Sequence, residues 1–309
     1  MRVNQENVEM KPCVSDSSIT TPSFSVTHLD LTLVKGRDRT PILEDVSFDV
    51  RKGECLGILG ESGSGKSMTI KAALGLLDRQ FEIKGEATFA GESLITMSAD
   101  ARRQLRGGRI TMVLQNPMTA FDPLYKMGEQ MAQTFEVHTN WSAAEIRDES
   151  IALLKAMRIH DPEEVLKKYP HQLSGGMLQR VMIGLAVKLK PELIICDEPT
   201  TAIDSISRHA IMHTFLEIKR RLGVAMIFIS HDLGVLNMIA DRMAVMKSGR
   251  VVESGTPDHV LKNATDPYTR LLIDKHCAVT QAFKAAVTAN TMATTTSPFE
   301  TEKDDRHAP

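Results

Sequence analysis

Residues 60–67 read Gly60-Glu61-Ser62-Gly63-Ser64-Gly65-Lys66-Ser67, which fits the spacing G-x-x-x-x-G-K-[ST]. Each residue type has a physical reason. The glycines let the backbone wrap closely and take positive φ, so that successive N–H groups converge on one point. A helix beginning at this point adds the positive end of its dipole, and the N–H of Met68 lies in its first turn. Lys66 supplies a point charge toward the β- and γ-phosphates of a bound nucleotide, and the Ser67 hydroxyl is a hard oxygen ligand of the kind Mg²⁺ takes. The plain alternative is a glycine-rich turn with an incidental lysine. The apolar run Cys55–Leu59 before it and the helical spacing of Ile70, Ala73, Leu74 and Leu77 after it favour the phosphate cradle.

Two further stretches have chemistry-bearing spacing. Leu193-Ile194-Ile195-Cys196 is a short apolar run that ends in Asp197-Glu198. A carboxylate at the tip of a buried strand beside such a cradle can serve a metal ion, and a second one can polarise an attacking water. Alone, this is also what an ordinary acidic turn looks like. Leu173-Ser174-Gly175-Gly176-Met177-Leu178-Gln179-Arg180 places a serine and two glycines ahead of a helical stretch. That is a second helix N-terminus with free N–H groups and a hydroxyl, but with no lysine; a simple helix cap has the same appearance.

The elements that must hold these residues are visible as periodicities. Leu29, Leu31 and Leu33 alternate, as do Val46, Phe48 and Val50, which predicts half-buried strands. Cys55–Leu59, Leu193–Cys196 and Val224–Ile229 are short continuous apolar runs of the kind found in buried parallel strands, and another strand is expected at Ile110–Leu114. From about 118 to 190 helical spacing takes over, with Ile146, Leu153, Leu154 and Met157 as a stripe. Ile211, Phe215, Ile218 and Leu222 mark a helix between the last two buried strands. The expected architecture is an α/β core with a helical segment inserted in it.

Ser174-Gly175-Gly176, followed by Gln179-Arg180 and lying just before the acidic strand, resembles the signature of the ATP-binding-cassette (ABC) ATPases. Gln115 at the end of a strand, Asp204 shortly after Glu198, and His231 at the end of Ile227-Phe228-Ile229 follow in that family's order. The resemblance covers about residues 24 to 275. It implies a P-loop NTPase core with a mixed sheet, an antiparallel β subdomain and an inserted helical subdomain, with ATP and Mg²⁺ as cofactors. In such a protein, residues Gly60 to Met68 would bind ATP. Ser67, Gln115 and Asp197 would serve Mg²⁺, Glu198 would be the general base, and His231 would hold Glu198 while contacting the γ-phosphate. Two cassettes would pack head to tail, so that Ser174, Gly175, Gly176 and Gln179 complete the partner's ATP site and Asp204 lies at the seam.

A narrower resemblance points to the peptide/nickel importers. It rests on Gly60–Ser67, on Gln115-Asn116-Pro117-Met118-Thr119-Ala120-Phe121-Asp122-Pro123, and on Asp266-Pro267-Tyr268-Thr269. Peptide-type members often carry a cysteine cluster after the last of these, where this chain has only Cys277, and often have Met-Arg-Gln-Arg where this chain has Met177-Leu178-Gln179-Arg180. Both lean toward the nickel-type subunit, with a dipeptide or oligopeptide importer as the alternative. The implied partners are a second, related ATPase subunit forming a heterodimer, two permease subunits and, indirectly, an extracytoplasmic solute-binding protein. Phe121, Leu124 and Tyr125, in a loop stiffened by two prolines, are expected to offer apolar contact to a permease, the alternative being that they simply pack the helical subdomain. One departure from the family is that Lys35-Gly36-Arg37-Asp38-Arg39-Thr40 lacks the aromatic residue that usually stacks on adenine. A guanidinium plane from Arg37 or Arg39 is the substitute expected here.

Composition bounds the remaining possibilities. The chain has 309 residues, a formal net charge of −2 and 5% aromatic residues. No basic footprint or base-stacking platform for nucleic acid is evident. A cassette ATPase acting on DNA or ribosomes is a weaker reading, because no coiled-coil insertion or tandem cassette is seen. A different P-loop kinase or GTPase would leave Ser174–Arg180 and His231 unexplained. Cys13, Cys55, Cys196 and Cys277 form no metal or disulfide framework, which fits a reducing compartment. No apolar run approaches the roughly 18 residues of a membrane span, and the first residues lack the apolar stretch of a signal peptide. The expectation is a peripheral protein at the cytoplasmic face of the cell membrane. Its ATPase domain would run from 23 to 277, between a loose arm (1–22) and a disordered tail (278–309).

Overall fold

A computed structural model describes residues 22–201 and 205–278. The N-terminal arm, nearly all of the C-terminal tail, and Asp204 lie outside the described residues.

The alternating apolar residues build an antiparallel sheet. β1 (Phe24–Lys35) and β2 (Asp38–Val50) form a long hairpin, paired from Phe24↔Val50 to Lys35↔Asp38. Further along the chain are β3 (Cys55–Leu59), α1 (Lys66–Ala73), β4 (Phe81–Phe89), β5 (Glu92–Ser93) and α2 (Ala99–Leu105). β4 and β5 extend the hairpin into a sheet of order β2-β1-β4-β5. Leu29, Leu31, Val46, Phe48 and Val50 are buried on its inner face, while Leu33 is only half-buried near the hairpin turn.

The continuous apolar runs build the second sheet. Its strands are β3, β6 (Ile110–Val113), β7 (Leu193–Asp197), β8 (Ala225–Ser230), β9 (Arg242–Lys247) and β10 (Arg250–Gly255), in the order β10-β9-β3-β8-β7-β6. All neighbours are parallel except β10 with β9. β3, β7 and β8 are buried throughout because both of their faces are covered. Ile194, Cys196, Met226 and Phe228 pack toward the helices on one side, whereas Leu193, Ile195, Ile227 and Ile229 pack toward α1 and the antiparallel sheet.

Between β6 and β7 lies the expected helical segment. A 3₁₀ turn (Pro117–Thr119) leads to α3 (Met127–His138), α4 (Ala143–Ala156), α5 (Pro162–Val165) and α6 (Gly175–Lys188). Ile146, Leu153 and Leu154 are buried as the stripe predicts, and Met157 caps α4. α7 (Ser205–Leu222), α8 (Leu233–Ile239) and α9 (Pro257–Lys262) complete the described elements, with a last helical run at 267–278. Two helix ends differ from the periodicity. α1 stops at Ala73 because Gly75 takes φ 62, so Leu77 lies beyond it. Leu222, at the end of α7, is exposed while Ile211, Phe215 and Ile218 are buried.

The two sheets are tied together at both ends of β9. The Arg242 guanidinium donates to both carboxylate oxygens of Asp49, at 3.2 and 3.1 Å, and to Glu54 at 3.2 Å, which joins the end of β2 to β9. In the β9–β10 turn the Gly249 N–H donates to the Ser64 carbonyl at 2.9 Å, and its own carbonyl accepts from the Glu44 N–H at 2.9 Å. Gly249 has φ 79, and a Cβ there would fall 2.2 Å from the Ile42 carbonyl oxygen. Gly249→Ala is therefore expected to destabilise the fold by about 1–3 kcal/mol. Urea unfolding measures this; a change under about 0.5 kcal/mol would mean that the turn relaxes freely.

Candidate active site

Parallel register brings the candidate residues to one edge. Leu59 at the end of β3 lies opposite Ser230 at the end of β8, and Ile229 lies opposite Asp197 at the end of β7. Cys196 pairs with Val113 of β6. The next residues along each strand are Gly60, His231, Glu198 and, two beyond Val113, Gln115. A crevice outside the carboxyl ends of parallel strands is where open α/β sheets bind ligands.

The cradle itself turns on Gly63 (φ 81) and Gly65 (φ 104), the latter being the N-cap of α1. No side chain caps this helix, so its first N–H groups remain available to a ligand. Lys66 is 5% exposed. Its ammonium donates to the carbonyls of Gly60 at 2.7 Å and Glu61 at 2.9 Å, and it lies 3.9 Å from Glu198 Oε1. Burial lowers the Lys66 pKa from its ordinary value, with the Glu198 and then the Asp197 carboxylate opposing that shift.

The Ser67 hydroxyl donates to Asp197 Oδ1 at 2.7 Å. Burial raises the Asp197 pKa; the Ser67 bond pulls the other way and the neighbouring Glu198 charge adds to the rise. Hydroxyl, carboxylate and the nearby Gln115 amide are hard oxygen donors, which fit Mg²⁺. Among the described residues no group of three or more His, Cys, Asp or Glu side chains could enclose a metal. A cation here would thus take the rest of its ligands from phosphates and water, the usual arrangement for Mg²⁺.

Glu198 is held from three sides. Its backbone has φ 51, an uncommon conformation for a non-glycine residue, and its N–H donates to the Ile229 carbonyl at 3.0 Å. Its Oε2 lies 2.6 Å from His231 Nδ1 and accepts from the Thr201 hydroxyl at 2.6 Å. A carboxylate only accepts, so Nδ1 carries the proton in that contact. The result is a carboxylate aimed into the crevice by an imidazole and a hydroxyl, an arrangement suited to activating water.

Gln115 and Glu198 line a cleft of about 210 Å³ together with Ser62–Met68 and Ile42. Thr201 and Ile42 escape the sequence reading. Thr201 has a faint signal, its spacing of three residues after Glu198 in a tight turn; Ile42 has none, because only the packing of the two sheets brings it to the cleft. Of the two arginines expected near a base, Arg39 is engaged by the Glu82 carboxylate.

Ser174 is the N-cap of α6 and accepts from the Met177 N–H at 3.2 Å; Ser174 and Gly175 are exposed and Gly176 half-exposed. Gln179 requires a correction. It is 0% exposed, so its amide faces the interior and is not part of the exposed surface at the start of α6. The cause is helical geometry, since a residue five positions after the cap lies more than a full turn along and here falls on the buried face with Leu178 and Met182. The expected permease contact also splits: Phe121 is 7% exposed and belongs to the core, while Leu124 and Tyr125 protrude at 78% and 55%. Phe121 and Tyr125 border a groove between the sheet and the helical segment, closed on the other side by Leu185 and Leu189 of the α6 region.

Comparisons with known proteins identify the family. The ABC transporter family profile matches residues 43–201. The metal-staphylopine import system ATP-binding protein CntD of Staphylococcus aureus is 46% identical over 244 residues, 79% of this chain and 90% of that protein. The oligopeptide transport ATP-binding protein OppD of Escherichia coli is 42% identical over 227 residues, 74% of this chain and 67% of that protein. A dimeric ATP-binding cassette in a post-hydrolysis state bound to ADP and Pi superposes with a TM-score of 0.68 at 25% identity, covering 76% of this chain and 98% of that one. Among the described residues no helix is long and apolar enough to cross a membrane. The chain belongs to the ABC transporter family, as an importer subunit that binds and hydrolyses ATP and couples that hydrolysis to transport through membrane permease subunits.

Proposed function

We propose that this subunit energises the uptake of nickel or a metal chelate, working at the cytoplasmic face of the membrane as one half of a heterodimer of related cassettes beneath two permeases. The observation that carries the metal reading is the 46% identity to CntD across 90% of that protein's length. An extracytoplasmic binding protein would deliver the cargo. Peptide uptake is the second reading, favoured by identities of 42% to the oligopeptide protein and 39% to the dipeptide transport ATP-binding protein DppD of Haemophilus influenzae.

In the proposed mechanism the N–H groups of residues 62–68 cradle the ATP phosphates. The Lys66 ammonium exchanges a carbonyl partner for phosphate oxygens. Ser67 and Asp197, with Gln115, hold Mg²⁺, which when bound neutralises phosphate charge. Glu198, oriented by His231 and Thr201, accepts the proton of the attacking water. Ser174 and the exposed N–H groups at Gly175 and Gly176 close over the ATP of the partner cassette. Asp204, at the expected seam, lies outside the described residues.

Uptake by a strain deleted for this gene discriminates the cargoes. Loss of radiolabelled nickel or metal-chelate uptake, restored by the wild-type chain and not by Lys66→Ala, is expected; loss of dipeptide uptake alone would assign the second reading. Glu198→Gln should keep ATP affinity and lower turnover by about 10²–10⁴-fold, with ATP trapping the paired cassettes in size analysis. Wild-type turnover would refute the base assignment. Because Phe121 is buried, coupling is tested with Leu124→Ser and Tyr125→Ser. Basal ATP hydrolysis should survive while transport and copurification with the permeases fall, and normal values of both would move the coupling surface elsewhere.

A further inference from the structure

The element Asp266-Pro267-Tyr268-Thr269 serves the sequence argument only as a family marker. In the fold it is fastened at both ends. Glu253 of β10 is buried and accepts from the Thr265 N–H at 2.7 Å and from the Thr265 hydroxyl at 3.1 Å. Asp266 Oδ1 accepts from the N–H groups of Tyr268 at 2.8 Å and Thr269 at 3.2 Å, which starts the 267–278 helical run. The Tyr268 ring is 8% exposed, with the Lys247 ammonium 4.9 Å from its centroid. An anchored ring of this kind holds its hydroxyl at a fixed point.

That point is the first peptide of the phosphate cradle. The Tyr268 hydroxyl oxygen accepts from the Glu61 N–H at 3.2 Å. The carbonyl of the same peptide group belongs to Gly60, and it accepts from the Lys66 ammonium at 2.7 Å. One rigid amide plane thus spans the two side chains, with Tyr268 at its N–H end and Lys66 at its C=O end. Hydrogen bonds chained through one amide polarise each other, so fixing one end sharpens the other. A second pin holds the same residue from outside, where the Lys275 ammonium lies 3.0 Å from Glu61 Oε1.

We propose that Tyr268 is a positioning residue for Lys66: by locking the Gly60–Glu61 peptide plane, its hydroxyl fixes the carbonyl from which the lysine reaches the nucleotide phosphates. The C-terminal helical run is then a brace on the ATP site, and the marker motif acquires a mechanical role in the ATPase reaction. The Lys275–Glu61 pair is more than half exposed on both sides and contributes less. The proposal rests on the assignment of Lys66 to the phosphates.

The test is Tyr268→Phe in the full chain assembled with its partner subunits, compared with Lys275→Met and Lys66→Ala. Phenylalanine keeps the ring, its burial and the lysine contact, and removes only the hydroxyl, which accepts from the Glu61 N–H and also meets the Glu61 carboxylate. The KM for ATP is expected to rise about three- to tenfold, the scale of one neutral hydrogen bond, with kcat within about twofold and an unchanged thermal midpoint. Lys275→Met should move KM by less than about twofold. A purely structural role would instead remove active protein, lowering kcat and the thermal midpoint while KM holds, and that pattern overturns the proposal, as does an unchanged KM. If Lys66→Ala itself leaves ATP binding at the wild-type level, the ATP-site reading falls and takes this proposal with it. If Lys66→Ala loses ATP while Tyr268→Phe behaves as wild type, only the brace falls.

Discussion

An ammonium group almost wholly removed from solvent has to be compensated from every side, and the architecture around Lys66 is organised by that requirement. Unpaired, such a charge would cost several kcal/mol. Here two carbonyls of the cradle accept from it directly and Glu198 stands 3.9 Å away. The carbonyls are available because the chain doubles back at residues 60–65 onto the start of α1, and the carboxylates because β7 ends in register with β3's neighbour β8. The same compensation explains the opposed shifts at the site, where burial lowers the lysine and raises Asp197 while their mutual attraction resists both. A polyphosphate entering the crevice meets positive charge and unpaired helix N–H groups already in place, with little reorganisation left to make.

The site is held as firmly as it is charged. Glu198 keeps a left-handed backbone conformation in a residue with a side chain, a cost of order 1–3 kcal/mol that surrounding structure must balance. Thr201 in the same turn, and His231 and the Ile229 carbonyl at the end of β8, supply that balance through hydrogen bonds. The antiparallel sheet contributes through the Gly249 turn, which ties it to the cradle at Ser64, while the Arg242–Asp49 fork holds it to the opposite, amino end of β9. The crevice lies at one edge of the parallel sheet, and a second, exposed helix start stands at Ser174, at the end of the inserted segment. Motion of that segment relative to the sheet would move Ser174 and the groove beside Tyr125 together, which offers a physical route from nucleotide to membrane partner.

Residue types and spacing were enough to mark the phosphate cradle, the acidic strand tip, the second helix start at Ser174 and the mixed α/β core. These signals are local: a P-loop needs glycines within a few positions, and a buried parallel strand shows itself as an unbroken apolar run in Cys55–Leu59 or Leu193–Cys196. Register across strands is not local. That Gln115, Glu198 and His231 stand beside Gly60 follows from pairings between residues far apart in the chain, and the approach of Ile42 and Tyr268 to the cradle depends on the packing of distant elements. Burial is likewise a property of the packed molecule. Gln179 follows an exposed helix start and Phe121 precedes the exposed Leu124, yet helix rotation and core packing turn both inward. Sequence alone therefore determined which groups this protein offers that are suited to phosphate and water chemistry, because those depend on residue chemistry at short range. Which groups meet, which are buried, and which outlying residue reaches the cradle were decided only by the tertiary structure, because long-range pairing and close packing set distances that no spacing along the chain contains.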